Sequence, residues 1–196
     1  MVIHNSFGLI QGEFYHFFNR ANSQTDLLFY QERNYGYFLE KWVEYTSNLV
    51  EVWSYCLMPN HFHFLLRINA RDNILKENVI PFSEAWRRLA ISYTQAINKQ
   101  ESRRGSLFQE HSKYLLIESE PHLLSVIRYI HNNPVHHGLT QGMEDWRYSS
   151  YRAFFMETPS RIARSRVLRL FGDITAFEFF HHQPYADKSI DYCLVE

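Results

Sequence analysis

The sequence has few of the features that place a chain in an oxidising compartment. Its 196 residues contain two cysteines, Cys56 and Cys193, which are far apart and do not form a CxxC pair. This spacing argues against a disulfide framework or a zinc knuckle and favours a reducing cytoplasm. The first residues lack a basic region followed by an apolar stretch, so no signal peptide is expected. No uncharged apolar run approaches the ~20 residues needed to cross a bilayer, and we expect no membrane partner.

The net charge is also small, −1 for the whole chain at pH 7. A protein that coats nucleic acid through bulk electrostatics needs a large positive charge, so any DNA binding must depend on a local basic surface. Aromatic residues, by contrast, make up 17% of the sequence, with 16 Phe and 13 Tyr. Aromatic rings fill protein cores, and they also stack on unpaired bases. Composition alone does not separate these two uses.

The order of the predicted elements indicates an α+β fold. Segments 12–19, 50–58, 61–68 and 114–117 are typical of strands, and segments 31–48, 81–99 and 120–132 of helices. Ser83 is the expected N-cap of the second helix, and Pro134 is expected to end the third. The resulting β-α-β-β-α-β-α order predicts a ferredoxin-like or RRM-like antiparallel sheet with helices packed on one face. Residues 1–157 are expected to form the main domain, and residues 158–196 a C-terminal helical extension packed on the same unit.

The first candidate for chemistry is the pair His61-Phe62-His63 in the second strand of a predicted hairpin. Side chains two residues apart in a strand point to the same face, so the two imidazoles would lie side by side while Phe62 enters a core. Two imidazoles can begin a divalent metal site. By spacing alone, two surface histidines on an amphipathic strand remain the alternative.

The second candidate is the segment 128–135 on the third helix, which contains Tyr129 and Asn133. Residues four apart on a helix are neighbours on one face, so a phenol oxygen and an amide oxygen could be offered to the same site. The alternative is a core tyrosine followed by a capping asparagine before a proline stop.

A basic segment from Arg87 to Lys113 is the third candidate. It contains six Lys or Arg residues against two acidic ones, a local excess of four positive charges. Such a segment can grip a phosphate backbone and stack a base, although a solvated loop has the same composition. Phe108 could stack on a base or anchor the loop to the core, and the sheet edge near Arg20 is a further candidate surface. The predicted DNA contacts are Arg20, Arg103, Arg104, Phe108 and Lys113.

Taken together, these segments resemble the REP-associated tyrosine transposases, a family within the single-tyrosine HUH transposase superfamily. The resemblance is carried by Tyr55–Arg67, Asn19–Asn22, Gly105–Gln109, Arg128–Val135 and Trp146–Tyr151. These blocks come in the family's order and cover residues 10–155, so the main domain, residues 1–157, would be an HUH transposase catalytic domain.

The resemblance implies that His61 and His63 are metal ligands and that Tyr129 is the nucleophile. Asn133 takes the third ligand position, which relatives with a Tyr-x-x-x-Gln helix fill with glutamine, and asparagine is one methylene shorter. A second departure is His111, where relatives commonly carry arginine. The recognition of palindromic DNA ends is therefore expected to be altered in this chain.

The activity implied is that of a transposase: metal-dependent cleavage and rejoining of single-stranded or hairpin DNA through a 5′-phosphotyrosine. The cofactor would be a divalent metal ion, Mg²⁺ or Mn²⁺, and histidine nitrogens suit Mn²⁺ at least as well as Mg²⁺. A homodimer is compatible with this activity.

Three other functions remain open at this point. An RRM-like module that binds nucleic acid without cutting it shares the predicted fold. A zinc hydrolase would need a carboxylate close to the two histidines, and residues 60–68 contain none. A domesticated transposase that binds DNA but has lost mobility would have the same core residues.

Overall fold

A computed structural model of the chain describes residues 9–23, 26–69 and 81–183. The expectation of no signal peptide, Cys193 and the end of the C-terminal extension fall outside the described residues. Among those described, no helix combines the length and the apolarity that a membrane crossing requires. The elements, in chain order, are β1 (Phe14–Arg20), α1 (Glu32–Thr46), β2 (Val50–Leu57), β3 (His61–Ile68), α2 (Phe82–Gln100), β4 (Lys113–Leu116), α3 (Glu120–His136), α4 (Arg164–Phe171) and α5 (Ile174–His182).

The four strands form one antiparallel sheet in the order β2-β3-β1-β4. The predicted α+β class and the ferredoxin-like order of elements are therefore confirmed. The hairpin of β2 and β3 turns at Pro59 and Asn60 as predicted, closed by a 2.8 Å hydrogen bond from the Met58 amide to the His61 carbonyl. Strand β3 lies in the interior of the sheet, between β2 and β1, which places its side chains at the centre of both faces.

The helices cover both faces of the sheet, which differs from the expectation of helices on one face. Phe62 and Phe64 of β3 pack against α1 and α2, whereas Leu65 lies in a second core with α3 and the C-terminal helices. Seven of the eight β3 residues are buried. A strand that is buried on both sides needs cover on both sides, so a single helical layer could not have satisfied it.

Helix α3 continues through Pro134 to His136, so the prediction that it ends before the proline is wrong. Proline removes one backbone donor, but here it lies in the last turn of the helix. The backbone hydrogen bonds continue beyond it: the His137 amide donates to the backbone carbonyl oxygen of Asn133 at 3.0 Å. Asn133 is therefore a residue within the helix and not its cap. Helix α2 likewise begins after Pro81, so Ser83 is not its N-cap.

A buried chain of hydrogen bonds attaches the C-terminal helix α5 to α3 and β2. His181 Nδ1 lies 2.7 Å from the Phe177 carbonyl, and its Nε2 lies 2.9 Å from His131 Nδ1. His131 Nε2 lies 2.8 Å from the Ser150 hydroxyl, which accepts a 2.9 Å bond from the Tyr55 amide. Because the carbonyl must accept, His181 donates through Nδ1. A neutral His181, whose Nε2 accepts from His131 Nδ1, is compatible with this network.

The burial of His131 and His181 predicts an acid-sensitive fold. Burial, with Arg128 and His182 nearby, lowers the pKa of His181 from 6.5 to about 3, and burial also lowers the pKa of His131. Since the unfolded state then binds more protons, stability is complete above pH 6.5 and falls as the pH drops toward 3. For His181 alone we expect a loss of about 2 kcal/mol between pH 7 and pH 5. Urea unfolding measured across this range should show the loss, and His181→Gln should flatten it; an equally steep loss in the variant would contradict the assignment.

Candidate functional site

His61 and His63 lie on the face of β3 that is turned toward α3, as the alternation of the strand predicts, and Phe62 is buried on the opposite face. Their ring centroids are 5.1 Å apart, and both residues are buried, at 7% and 1% exposure. The strand register thus holds two imidazoles side by side beneath a helix.

Helix α3 brings Tyr129 and Asn133 to the same histidines. The Tyr129 ring meets His63 edge-on at 5.4 Å between centroids, and the Asn133 Oδ1 atom lies 2.9 Å from His61 Nε2. Both α3 residues are buried, and Tyr129 is 4% exposed. The i, i+4 spacing predicted from the sequence therefore places both side chains against β3.

The contacts of Asn133 and His61 fit a divalent cation. His61 Nδ1 is held by Asn60 Oδ1 at 2.8 Å, which leaves Nε2 directed at Asn133. Two ligands about 2.1 Å from one octahedral cation lie about 3 Å apart, close to the observed separation of Nε2 and Oδ1. The Asn133 amide nitrogen is buried without a hydrogen-bond partner, so the oxygen alone anchors this side chain. An imidazole and amide donor set suits a borderline metal such as Mn²⁺.

A cavity of about 430 Å³ opens in front of the two histidines. Arg20 and Lys113 contribute positive charge to its wall, and none of the described residues that line it is acidic. Such a wall favours a phosphate group. The lining residues are Phe18, Asn19, Arg20, Asn60, His61, His63, Gln109, His111, Lys113 and His137.

The side chain of Asn19 fixes the segment that carries His111 and Lys113. Asn19 Nδ2 donates to the Gln109 carbonyl at 3.1 Å and to the Ser112 hydroxyl at 2.7 Å. The Trp86 indole nitrogen donates to the same hydroxyl at 2.7 Å. The cavity wall is therefore joined to the end of β1 and to α2 by direct hydrogen bonds.

The five predicted DNA contacts separate into two groups. Arg20 and Lys113 line the cavity, whereas Arg103, Arg104 and Phe108 do not. Arg103 forms a 2.8 Å ion pair with Asp26, which ties the loop after α2 to the segment between β1 and α1. Phe108 is 5% exposed and packs at 5.2 Å between ring centroids from Trp86, so of its two proposed roles the packing favours anchoring the loop to the core.

This division predicts which cations control DNA affinity. Arg20→Gln and Lys113→Gln should each weaken binding of single-stranded DNA and reduce the slope of log K against log salt by about 0.7, because each removes one phosphate contact. Arg104→Gln removes the same charge from an exposed position away from the cavity and is the matched control. Affinity measured against salt tests the prediction, and equal slopes for all three variants would place the DNA elsewhere.

Sequence reasoning missed two residues around the histidines, His16 and His137. His16 of β1 is fully buried, with Nε2 3.0 Å from His63 Nδ1, and the His137 ring lies 5.2 Å from that of His61. Local sequence shows that His16, Phe18 and Arg20 share one face of a strand. It does not show the register of this strand against β3, so the contact between His16 and His63 could not be found.

Comparisons with known proteins point to one family. No family model matches the chain. It is 28% identical over 98 residues to a curated Haemophilus influenzae protein named provisionally as a REP-associated tyrosine transposase; the match takes in 49% of this chain and 56% of that relative's length. The fold is similar to the solved structure of a REP-associated tyrosine transposase bound to a REP hairpin, with a TM-score of 0.63, 18% identity and coverage of 81% of this chain and 89% of the other. The chain therefore resembles this family in sequence and in fold.

Proposed function

We propose that the chain is a transposase that cleaves and rejoins single-stranded DNA through a 5′-phosphotyrosine on Tyr129. The observation that carries the proposal is the convergence of two histidines from β3 with Tyr129 and Asn133 from α3. The resemblance to REP-associated tyrosine transposases supports it, since the solved relative holds a REP hairpin. DNA that can form a hairpin with a single-stranded flank is accordingly the proposed substrate.

His61, His63 and Asn133 would hold a divalent cation in this proposal. Such a cation, when bound, withdraws electron density from the scissile phosphate and stabilises the charge that develops on it. Asn60 orients the His61 ring through Nδ1, so its Nε2 is the atom offered for coordination. The burial of His63 and Asn133 excludes water from the protein side of the site.

Tyr129 supplies the nucleophile. Its phenol oxygen forms a bond to phosphorus as the bond from phosphorus to the 3′-oxygen breaks. The phenol loses its proton, and the departing oxygen gains one to become a 3′-hydroxyl. For a free tyrosine, forming the phenolate at pH 7 costs about 4 kcal/mol, so in-line positioning must offset part of this cost. No water is consumed, and a second 3′-hydroxyl can reverse the step and join DNA.

The residues that line the cavity are suited to bind the DNA substrate of this reaction. Arg20 and Lys113 would neutralise backbone phosphates while Gln109 and Asn60 offer amide groups to exposed bases. Tyr129 is 4% exposed and is not among the residues that line the cavity, so side chains between the cavity and the phenol oxygen must move for the scissile phosphate to reach it. A splayed single strand can follow such a path, and a rigid duplex cannot bring its backbone there.

Two of the other functions lose support from the arrangement. An RRM-like module stacks bases on an open sheet face, but here helices cover both faces. A zinc hydrolase would combine histidines with carboxylate or cysteine ligands, and within residues 9–23, 26–69 and 81–183 no three His, Cys, Asp or Glu residues are grouped as a metal site. A domesticated transposase keeps the same site, so only its products distinguish it.

Incubation of the purified protein with labelled hairpin DNA carrying single-stranded flanks tests the proposal. We expect a covalent protein–DNA adduct on a denaturing gel with Mn²⁺, and none in excess chelator. DNA binding without an adduct at any divalent metal concentration would overturn the cleavage proposal and indicate a binding protein.

A further inference from the structure

The two predicted ligand histidines are held in the same way, each through its Nδ1 atom. Asn60 Oδ1 holds His61 Nδ1 at 2.8 Å, and His16 Nε2 holds His63 Nδ1 at 3.0 Å. An amide oxygen can only accept a hydrogen bond, so His61 donates to Asn60 through Nδ1, and Nε2, which lies beside Asn133 Oδ1, is the ring nitrogen that would face a cation. His16, in contrast, has a ring nitrogen that can donate or accept, depending on its tautomer.

We infer that His16 is the positioning residue for His63, and that it accepts the hydrogen bond that His63 donates through Nδ1. The inference rests on the proposed function, because it concerns how the metal site of that function is built. With Nδ1 engaged by His16, Nε2 is the ring nitrogen that His63 would offer to a cation. Ligand histidines in metalloproteins are oriented in this manner by an acceptor at the second ring nitrogen.

The placement of His16 is set by the sheet. In the antiparallel register of β1 and β3, Phe18 lies opposite His63 and His16 lies opposite Leu65, so His16 and His63 are diagonal neighbours on one face. His16 is fully buried and does not line the cavity. It therefore acts behind the ligand, where it cannot itself meet the DNA.

His16 also contacts the proposed nucleophile. Its ring meets Tyr129 edge-on at 5.8 Å between centroids, while His63 meets the same tyrosine at 5.4 Å. One buried side chain thus touches both the ligand from β3 and the nucleophile from α3. Loss of its hydrogen bond should loosen His63, whereas loss of ring volume alone should affect only packing.

Two substitutions of equal length separate these effects. In His16→Gln, an amide oxygen can occupy the position of Nε2 and accept from His63, as Asn60 does for His61. In His16→Met, the side chain has similar length and volume but accepts hydrogen bonds poorly. Mn²⁺ affinity, measured by calorimetry on the metal-free protein, should fall about 10–100-fold in His16→Met. It should stay close to the wild-type value in His16→Gln.

The tautomer of His63 provides a second, independent measurement. Imidazole ¹⁵N NMR of histidine-labelled wild-type protein should show His63 protonated at Nδ1, both without metal and with Mg²⁺. A proton on Nε2 in the metal-free protein, or equal Mn²⁺ affinity in wild type and His16→Met, would overturn the inference, and the NMR result stands even if His16→Met does not fold.

Mn²⁺ binding also distinguishes a failure of the proposed function from a failure of the role inferred for His16. If wild-type protein does not bind Mn²⁺, or binds it equally after His61→Ala, the metal site itself is absent and the proposed function loses its cofactor. If wild type binds Mn²⁺ through His61 and His16→Met binds it equally well, only the role of His16 fails.

Discussion

Tyr129→Phe is expected to abolish the covalent protein–DNA adduct while DNA binding stays within about twofold of wild type. Phenylalanine keeps the edge-on packing of the ring against His63 and His16, so the site should retain its shape. Only the phenol oxygen is lost, and in the proposed reaction that oxygen forms the bond to phosphorus. The adduct is measured on a denaturing gel with labelled hairpin DNA, and binding is measured on the same DNA by fluorescence anisotropy.

Two other tyrosines serve as matched controls. The Tyr93 hydroxyl donates to the Leu28 carbonyl at 2.9 Å in the other core, and the Tyr151 hydroxyl lies 3.4 Å from His182 Nε2. Phenylalanine at either position should leave the adduct intact, although removing the Tyr93 bond should lower stability by about 1 kcal/mol. An adduct that persists in Tyr129→Phe and disappears in Tyr93→Phe or Tyr151→Phe would assign the nucleophile to that other residue.

His61→Ala and His63→Ala are expected to reduce cleavage by about 10³-fold or more, and excess chelator should do the same to the wild type. Each substitution removes one of two nitrogen ligands, and electrostatic stabilisation by a bound cation is worth several kcal/mol in the transition state. Because two of the proposed ligands of the wild-type protein are histidine nitrogens, Mn²⁺ should restore its activity after chelation at a lower concentration than Mg²⁺. Initial cleavage rates across both metal titrations measure the effect.

His136→Ala is the control for these variants, since it removes an exposed histidine at the end of α3. It should cleave at the wild-type rate. Full activity of His61→Ala, or of the wild type in excess chelator, would show that the histidines do not act through a metal ion.

The sequence by itself determined the elements and the faces of the site. Alternation along β3 predicted that His61 and His63 share a side with Phe62 opposite, and helical spacing predicted that Tyr129 and Asn133 share a side of α3. These are local properties, because the backbone geometry of a strand or helix fixes the direction of neighbouring side chains. The order of the elements likewise predicted the antiparallel sheet.

Only the tertiary structure decided what those faces meet. It placed α3 on the second face of the sheet, so that Asn133 reaches His61 despite the side chain being one methylene shorter than glutamine. It turned Phe108 into the core and committed Arg103 to Asp26, leaving Arg20 and Lys113 at the cavity. It also placed His16 behind His63, 47 positions away in the sequence. Contacts of this kind depend on strand order and on competition for burial across the whole chain, which no local pattern contains.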